Sequence, residues 1–582
     1  MIDRIIEWSV RNKFIVIFAT VFLIAGGVAA MFNTPLDAIP DLSDTQVIIQ
    51  TDFQGQAPQV VEEQVTYPLT TAMLGVPYAK VVRGYSFFGT SFVYIIFEDG
   101  TDMYWARSRV LEYLNFVSDR LPENAVPKLG PDATGVGWVY EYTVQDTTGE
   151  HDLSQLRSIQ DWYLKYELTS VDGVSEVASI GGFVKQYQVE VDPNRLLAYD
   201  LSIKAVKNAI QRSNNDVGGK LLEMGETEFM VRGLGYIKSL QDLEDIAVGV
   251  DQNGTPILLN NIADIHTGPE LRRGVLEWNG KGEAVGGIVV MRYGENAYNV
   301  IKRVKQKLKE LEKGLPEGVE VKMGYDRSGL IERAVSTLKT KLVEEMIVVA
   351  LICIIFLLHI RSAFVAILTL PVGILASLLM MYILGININI MSLGGIAIAI
   401  GVMVDASVVM VENAHKHIEK NPGGRTGDII IQSSKEVGPA LFYSLLIITV
   451  SFLPVFTLEE QSGRLFKPLA YTKTFAMAAS SVLAITIIPV LMTFFVKHRT
   501  IEIQPEQSRK KTWFRIGSII LAAPALVVCA GILKTEIPDW SLTAAVAISV
   551  FISLCVIPQK IIPEGKNPVS KVLIRIYMPQ HK

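Results

Sequence analysis

Between residues 390 and 411 lies a 22-residue apolar stretch, IMSLGGIAIAIGVMVDASVVMV, with one ionisable side chain, Asp405. At ~1.5 Å per residue it can cross the ~30 Å hydrocarbon core of a bilayer. A carboxylate left unpaired at that depth costs roughly 3 kcal/mol on insertion scales, so its chemistry points to proton or ion binding. Gly394, Gly395 and Gly401 permit close helix approach, which would let the carboxylate face protein rather than lipid. The second candidate group is methionine: Met391, Met403 and Met410 share this stretch, and Met477 and Met492 lie at 475–496. On a helix, 403 and 410 share a face, and 477 and 492 fall within about 60° of each other. Thioethers suit soft monovalent ions such as Cu(I) and Ag(I), although methionine also fills cores without any ligand.

Other groups carry less chemistry. Glu412 and Asn413 fall near the end of the Asp405 segment, where polar groups are ordinary. His415 and His417 stand in a basic stretch that reads as solvated surface, and Glu62 and Glu63 as a wet helix face. Cys353, Cys529 and Cys555 all sit in apolar runs, without CxxC or zinc-ligand spacing. No Walker A, HExxH or nucleophile-elbow pattern occurs, which leaves ATP-driven transport and hydrolysis without support.

These residues need a membrane bundle to position them. Of 582 residues, 49% are hydrophobic and 19% charged, with net charge −5 and mean hydropathy +0.32. That balance indicates a membrane protein with a large polar part and carries no nucleic-acid signature. The run 14–32 is too long for a secretory signal core and reads as an uncleaved first span. Further spans are expected at 342–358, 363–384, 390–411, 438–458 and 475–496, then at 516–533 and 542–557. Lys and Arg concentrate in 1–13, 359–362, 412–436, 497–515 and 558–582, so both ends are expected in the cytoplasm. Residues 33–338 then lie outside, in a periplasm if the cell has one.

The outer region reads as two βαβ-type units. In the first, strand 46–53, helix 58–74, strands 79–86 and 91–98 and helix 102–120 follow in order. The second begins with strand 139–144 and helix 153–169. It resumes with strand 284–292, helix 296–313 and strand 319–324, around an insertion at about 183–275. The basic, amphipathic tail KNPVSKVLIRIYMPQHK is expected to lie on the cytoplasmic membrane surface.

Several segments resemble the heavy-metal efflux branch of the RND transporters: LDAIPDLSDTQVIIQTDFQGQAP from residue 36, GPELRRGVLEWNG at 268–280, GYDRS at 324–328, GVMVDASVVMVENAHK at 401–416 and KNPVSKVLIRIY at 566–577. The resemblance runs from Met1 to about Arg499 and resumes near Pro563. It implies the N-terminal half of an α-helical polytopic permease with a large α+β periplasmic region. The expected domains are a first span (1–32), porter subdomains at 33–135 and at 136–182 with 276–338, and a docking subdomain at 183–275. Spans two to six then occupy 339–496. A linker (497–515), an additional hairpin of spans (516–557) and a cytoplasmic amphipathic helix (558–582) follow, and the chain stops before the family's second half.

The resemblance further implies proton-driven metal efflux by a homotrimer in the bacterial inner membrane, with a periplasmic adaptor and an outer-membrane channel. A second-half polypeptide would have to supply partners for Asp405, the family's proton-relay carboxylate. Drug-exporting relatives carry two adjacent aspartates, where Asp405 is followed here by Ala406. Divalent-metal members carry an extra aspartate in a context like AIDFG, where this chain has AIAIG. The copper/silver members resemble it in a single aspartate and a methionine ladder matching Met391, Met403, Met410, Met477 and Met492. One further ladder position falls on Leu271, which cannot ligate. Expected cargo is therefore Cu(I) or Ag(I), with no bound cofactor and no enzymatic reaction. The alternatives are efflux of divalent Zn, Co, Ni or Cd, or a truncated chain with a regulatory rather than a transport role.

Overall fold

The computed structural model describes residues 1–496, apart from 252–253, 273, 358–359 and 422–423. The expected linker, extra hairpin and terminal helix (497–582) lie outside the described residues. By contact density the chain divides into two units. One holds 1–136, 294–298 and the residues from 327 onward; the other holds 137–293 and 299–326.

Each unit contains one copy of the expected repeat. In the first unit, four strands form an antiparallel sheet in the spatial order Val126–Leu129, Gln46–Asp52, Thr90–Phe97, Ala79–Phe87. That is the 4-1-3-2 order of a ferredoxin-like βαββαβ fold. The second unit repeats it with Val319–Asp326, Trp138–Asp146, Glu283–Met291 and Val174–Gly181. Strand Gln46–Asp52 buries Val47, Ile49 and Thr51 in alternation, as a sheet with one covered face requires.

The first crossover helix of both copies departs from a plain α-helix in the same way. Val61, Val65, Leu69 and Met73 are buried at a strict spacing of four, as are Leu156, Gln160, Leu164 and Leu168. An α-helix with 3.6 residues per turn would rotate such residues about 40° further off the sheet at each step. A π turn at Glu62–Thr66, and another at Gln160–Leu164, absorbs the extra residue and keeps the apolar face aligned. The buried polar residue in each π turn, Thr66 or Gln160, bonds to its sheet. Thr66 Oγ1 is 2.8 Å from the hydroxyls of Ser86 and Ser91, and Gln160 accepts from Tyr142 at 2.9 Å and donates to Ser179.

The insertion forms its own small core around Val206, Leu243, Ile257 and Ile262. Strand Lys185–Val191 pairs with Ala263–Pro269 at its base. Within it, strands Val217–Met224 and Thr227–Gly233 form a hairpin in which every residue is exposed, Leu221, Phe229 and Met230 included.

Four helices among the described residues are long and apolar enough to cross a membrane: Lys13–Asn33, Ser362–Ile383, Ile390–Lys420 and Thr426–Thr457. The segment expected at 342–358 continues helix Arg327–Leu357. A short amphipathic helix, Ile2–Arg11, precedes the first span and buries Ile2, Ile6 and Val10. The segment expected as one span at 475–496 is two helices, Glu460–Ile485 and Ile487–Phe495, bent by 51°. Thr486, at φ −116° and ψ −76°, breaks the helical path. The single-helix angle between Met477 and Met492 therefore does not apply.

Charge ties the first module to this bent pair. Arg464 pairs with Asp44 at 2.9 Å and with Asp99, and donates to the Leu42 carbonyl. Lys80 Nζ lies 2.7 Å from Glu460.

Candidate functional site

Helix Ile390–Lys420 is the element that positions the candidate groups. Asn389 caps it, accepting from the Ser392 amide at 2.9 Å, while Ser392 returns the bond to the Asn389 amide. It packs tightly on helix Glu460–Ile485 at Gly395, where any β-carbon would overlap Thr472 Oγ1 and the Leu469 carbonyl. Gly395 thus makes the close approach expected of a small residue. A β-carbon on Gly394 or Gly401 would meet nothing within 4 Å.

The helix carries two distinct faces. Met403, Ser407, Met410 and Ala414 are buried, at steps of four, three and four. Gly401, Asp405, Val409 and Glu412 stand on the other side, where Asp405 and Gly401 are exposed. Asp405 is 200° around the axis from Met403. Among the described residues no packed neighbour covers the Asp405 carboxylate, which faces outward from the helices described.

The methionines divide into two levels. Met403 and Met477 are buried in one apolar core, together with Met381. Met410 and Met492 are buried in the adjoining one. Met391, nearer the N-terminus of the helix, is half-buried. Leu271 is exposed, in the other unit. Thus Met403, Met410, Met477 and Met492 lie inside the bundle, and Asp405 faces away from the described helices.

Several groups escaped the sequence reading. Thr369 and Ser407 share a buried hydroxyl–hydroxyl bond of 3.0 Å, between the two methionine levels. Gly373 leaves room for the end of the Met403 side chain. Lys473 is buried against Phe452; its signal in sequence was being the one charged residue between Pro468 and Val496.

The histidines correct an expectation. His415 is buried and bonded to Ser362 at 2.7 Å, and His417 pairs with Glu436. They are not solvated loop residues, because the helix continues to Lys420 and packs on its neighbours there. Asn413 also donates to the Glu436 carboxyl, at 3.3 Å. Glu412 pairs with Lys416 one turn on, as exposed helical charges do. Among the described residues, no group of three His, Cys, Asp or Glu side chains could hold a metal.

Two ferredoxin-like modules with an inserted subdomain, set between the first membrane-length helix and those that follow, define a polytopic permease fold of the RND type. The chain belongs to the AcrB/AcrD/AcrF family, which matches residues 5–577. It is 55% identical over 525 residues to the cation efflux system protein CusA of Escherichia coli K12, covering 89% of this chain and 50% of that one. Against the cobalt-zinc-cadmium resistance protein CzcA of Cupriavidus metallidurans, identity is 35% over 529 residues, covering 88% and 49%. The crystal structure of a heavy metal efflux pump superposes with a TM-score of 0.74 at 30% identity, covering 90% of this chain and 52% of that one. The chain spans about half the length of the relatives it matches.

Proposed function

We propose that this chain is the N-terminal half of a proton-driven efflux permease for soft monovalent metal ions, Cu(I) or Ag(I). One observation carries the reading: a single helix bears Asp405, the one carboxylate within its apolar stretch 390–411, on its outward face and two buried methionines on the opposite side. Met403 with Met477, and Met410 with Met492, would give two successive thioether levels for the ion, with Met391 beyond them. Thioethers bind soft ions and are poor ligands for hard divalent ones. The 55% identity to CusA, against 35% to the cobalt-zinc-cadmium protein, supports the same choice.

Asp405 would carry the proton. Its open face, with Gly401 beside it, suits close approach by helices of the second half, which would supply the cationic or acidic partners an intramembrane carboxylate needs. Because Asp405 and the methionines face different ways, proton and metal would not compete for one site. Coupling would then act through movement of the shared helix.

The working assembly would be a trimer in the inner membrane, joined to a periplasmic adaptor and an outer-membrane channel. The fully exposed hairpin 217–233, with its apolar side chains, supports contact with another subunit. The test is metal tolerance of an efflux-deficient strain expressing this chain with the polypeptide that completes it. Protection against silver and copper is expected; protection against zinc or cobalt alone would overturn the assignment.

A further inference from the structure

Lys473 is only 7% exposed. Its Nζ lies 3.3 Å from the centre of the Phe452 ring, just beyond helix Thr426–Val450. Among the described residues no carboxylate forms an ion pair with it. A ring face carries the negative lobe of the aromatic quadrupole, so this geometry holds an ammonium rather than a neutral amine. A buried, uncompensated cation beside an apolar core is costly, and cheaper residues fit against phenylalanine.

Met477 lies one turn further along the same helix, fully buried in the core that holds Met403. Residues four apart lie on one face of a helix, so Lys473 and Met477 are neighbours on the same face of helix Glu460–Ile485. We propose that Lys473 is a specificity-determining residue, a fixed positive charge beside the Met403–Met477 level that rejects divalent cations. The inference rests on reading that level as part of the metal path. Repulsion grows in proportion to the ion's charge, and neutral thioethers offer no negative charge to offset it. For a separation of about 8 Å and an effective dielectric near 20, a divalent ion is disfavoured about 30-fold relative to a monovalent one. Softness and valence would then be selected by different side chains on one helix.

The experiment measures Ag(I) and Cd(II) binding by the full chain in lipid nanodiscs, in competition with chelators. Lys473→Gln is expected to narrow the preference for Ag(I) over Cd(II) about 30-fold, while Lys473→Arg keeps the wild-type ratio. Lys473→Leu serves in place of the glutamine variant if that one does not fold. An unchanged ratio in the neutral variants overturns the proposal. So does an Arg variant as permissive as the neutral ones, since shape and not charge would then be responsible. Met403→Leu and Met477→Leu separate the two readings. If they leave Ag(I) binding intact, the path itself fails; if they abolish it while the neutral variants keep the ratio, only the role of Lys473 fails.

Discussion

Gly373 lies directly against the end of the Met403 side chain: a β-carbon there would overlap Met403 Cε, with Sδ 3.5 Å away. Met403 is 3% exposed, so its methyl group has little free volume to move into. Gly373→Ala should therefore swing the thioether. The substitution also gains up to ~1 kcal/mol of helix propensity, which limits any loss of stability. We expect Ag(I) affinity to fall about tenfold with little change in melting temperature. In a Met403→Leu background the alanine should cost no further affinity, and an additive loss would refute the link.

Asp405 is exposed among the described residues, so Asp405→Asn should change the stability of this chain by no more than about 0.5 kcal/mol. In the assembled transporter the same variant should abolish metal tolerance, since asparagine cannot carry a proton. Retained tolerance would refute the proton-carrier role.

Arg327, 3% exposed, stands 2.9 Å from Asp37 through Nη2, an ion pair not aligned as a hydrogen bond, and also bonds the Val136 carbonyl. Burial raises the Asp37 carboxyl above its usual range, and Arg327 opposes that rise. Arg327→Met should destabilise by ~2–4 kcal/mol, because it leaves a carboxylate only 17% exposed without its cation. A raised folded-state pKa gives stability below the unfolded value near 3.9 that is lost as pH rises through the folded value. Removing Arg327 raises the folded value further, so the deficit should be larger at pH 7.5 than at pH 4.5. Equal deficits at the two pH values, read from thermal melts, would count against this account.

Asp146 and Asp152 behave in the opposite sense. The Thr148 hydroxyl and the His151 amide hold the Asp146 carboxyl well below its usual range, and the Ser154 hydroxyl and Gln155 amide do so for Asp152. Depressed folded values mean stability that is present above pH ~4 and lost as pH falls below it. Amides of strand Trp138–Asp146 should lose hydrogen-exchange protection on acidification, and Asp146→Asn should flatten that dependence. A variant with the wild-type acid profile would exclude these bonds as the cause.

Much of the fold was legible because it depends on local periodicity. Alternation in 46–53, apolar runs of membrane length and the order of strands and helices are written along the chain. The two copies of the βαβ unit followed from that order. The π turn at 62–66 was legible in principle, since apolar Val61, Val65, Leu69 and Met73 at steps of four do not fit an α-helix. The break at Thr486 was not: an uninterrupted apolar run looks the same whether its helix is straight or bent by 51°.

The candidate site divides the same way. By itself the sequence determined which residues bring chemistry, a lone aspartate among methionines, because residue type and isolation in an apolar run are local properties. Only the tertiary structure decided where they face: Met403 and Met410 inward, Asp405 outward, His415 buried on Ser362, and Lys473 on the Phe452 ring. Which face of a helix is covered depends on neighbours distant in sequence, and no periodicity within one helix specifies them.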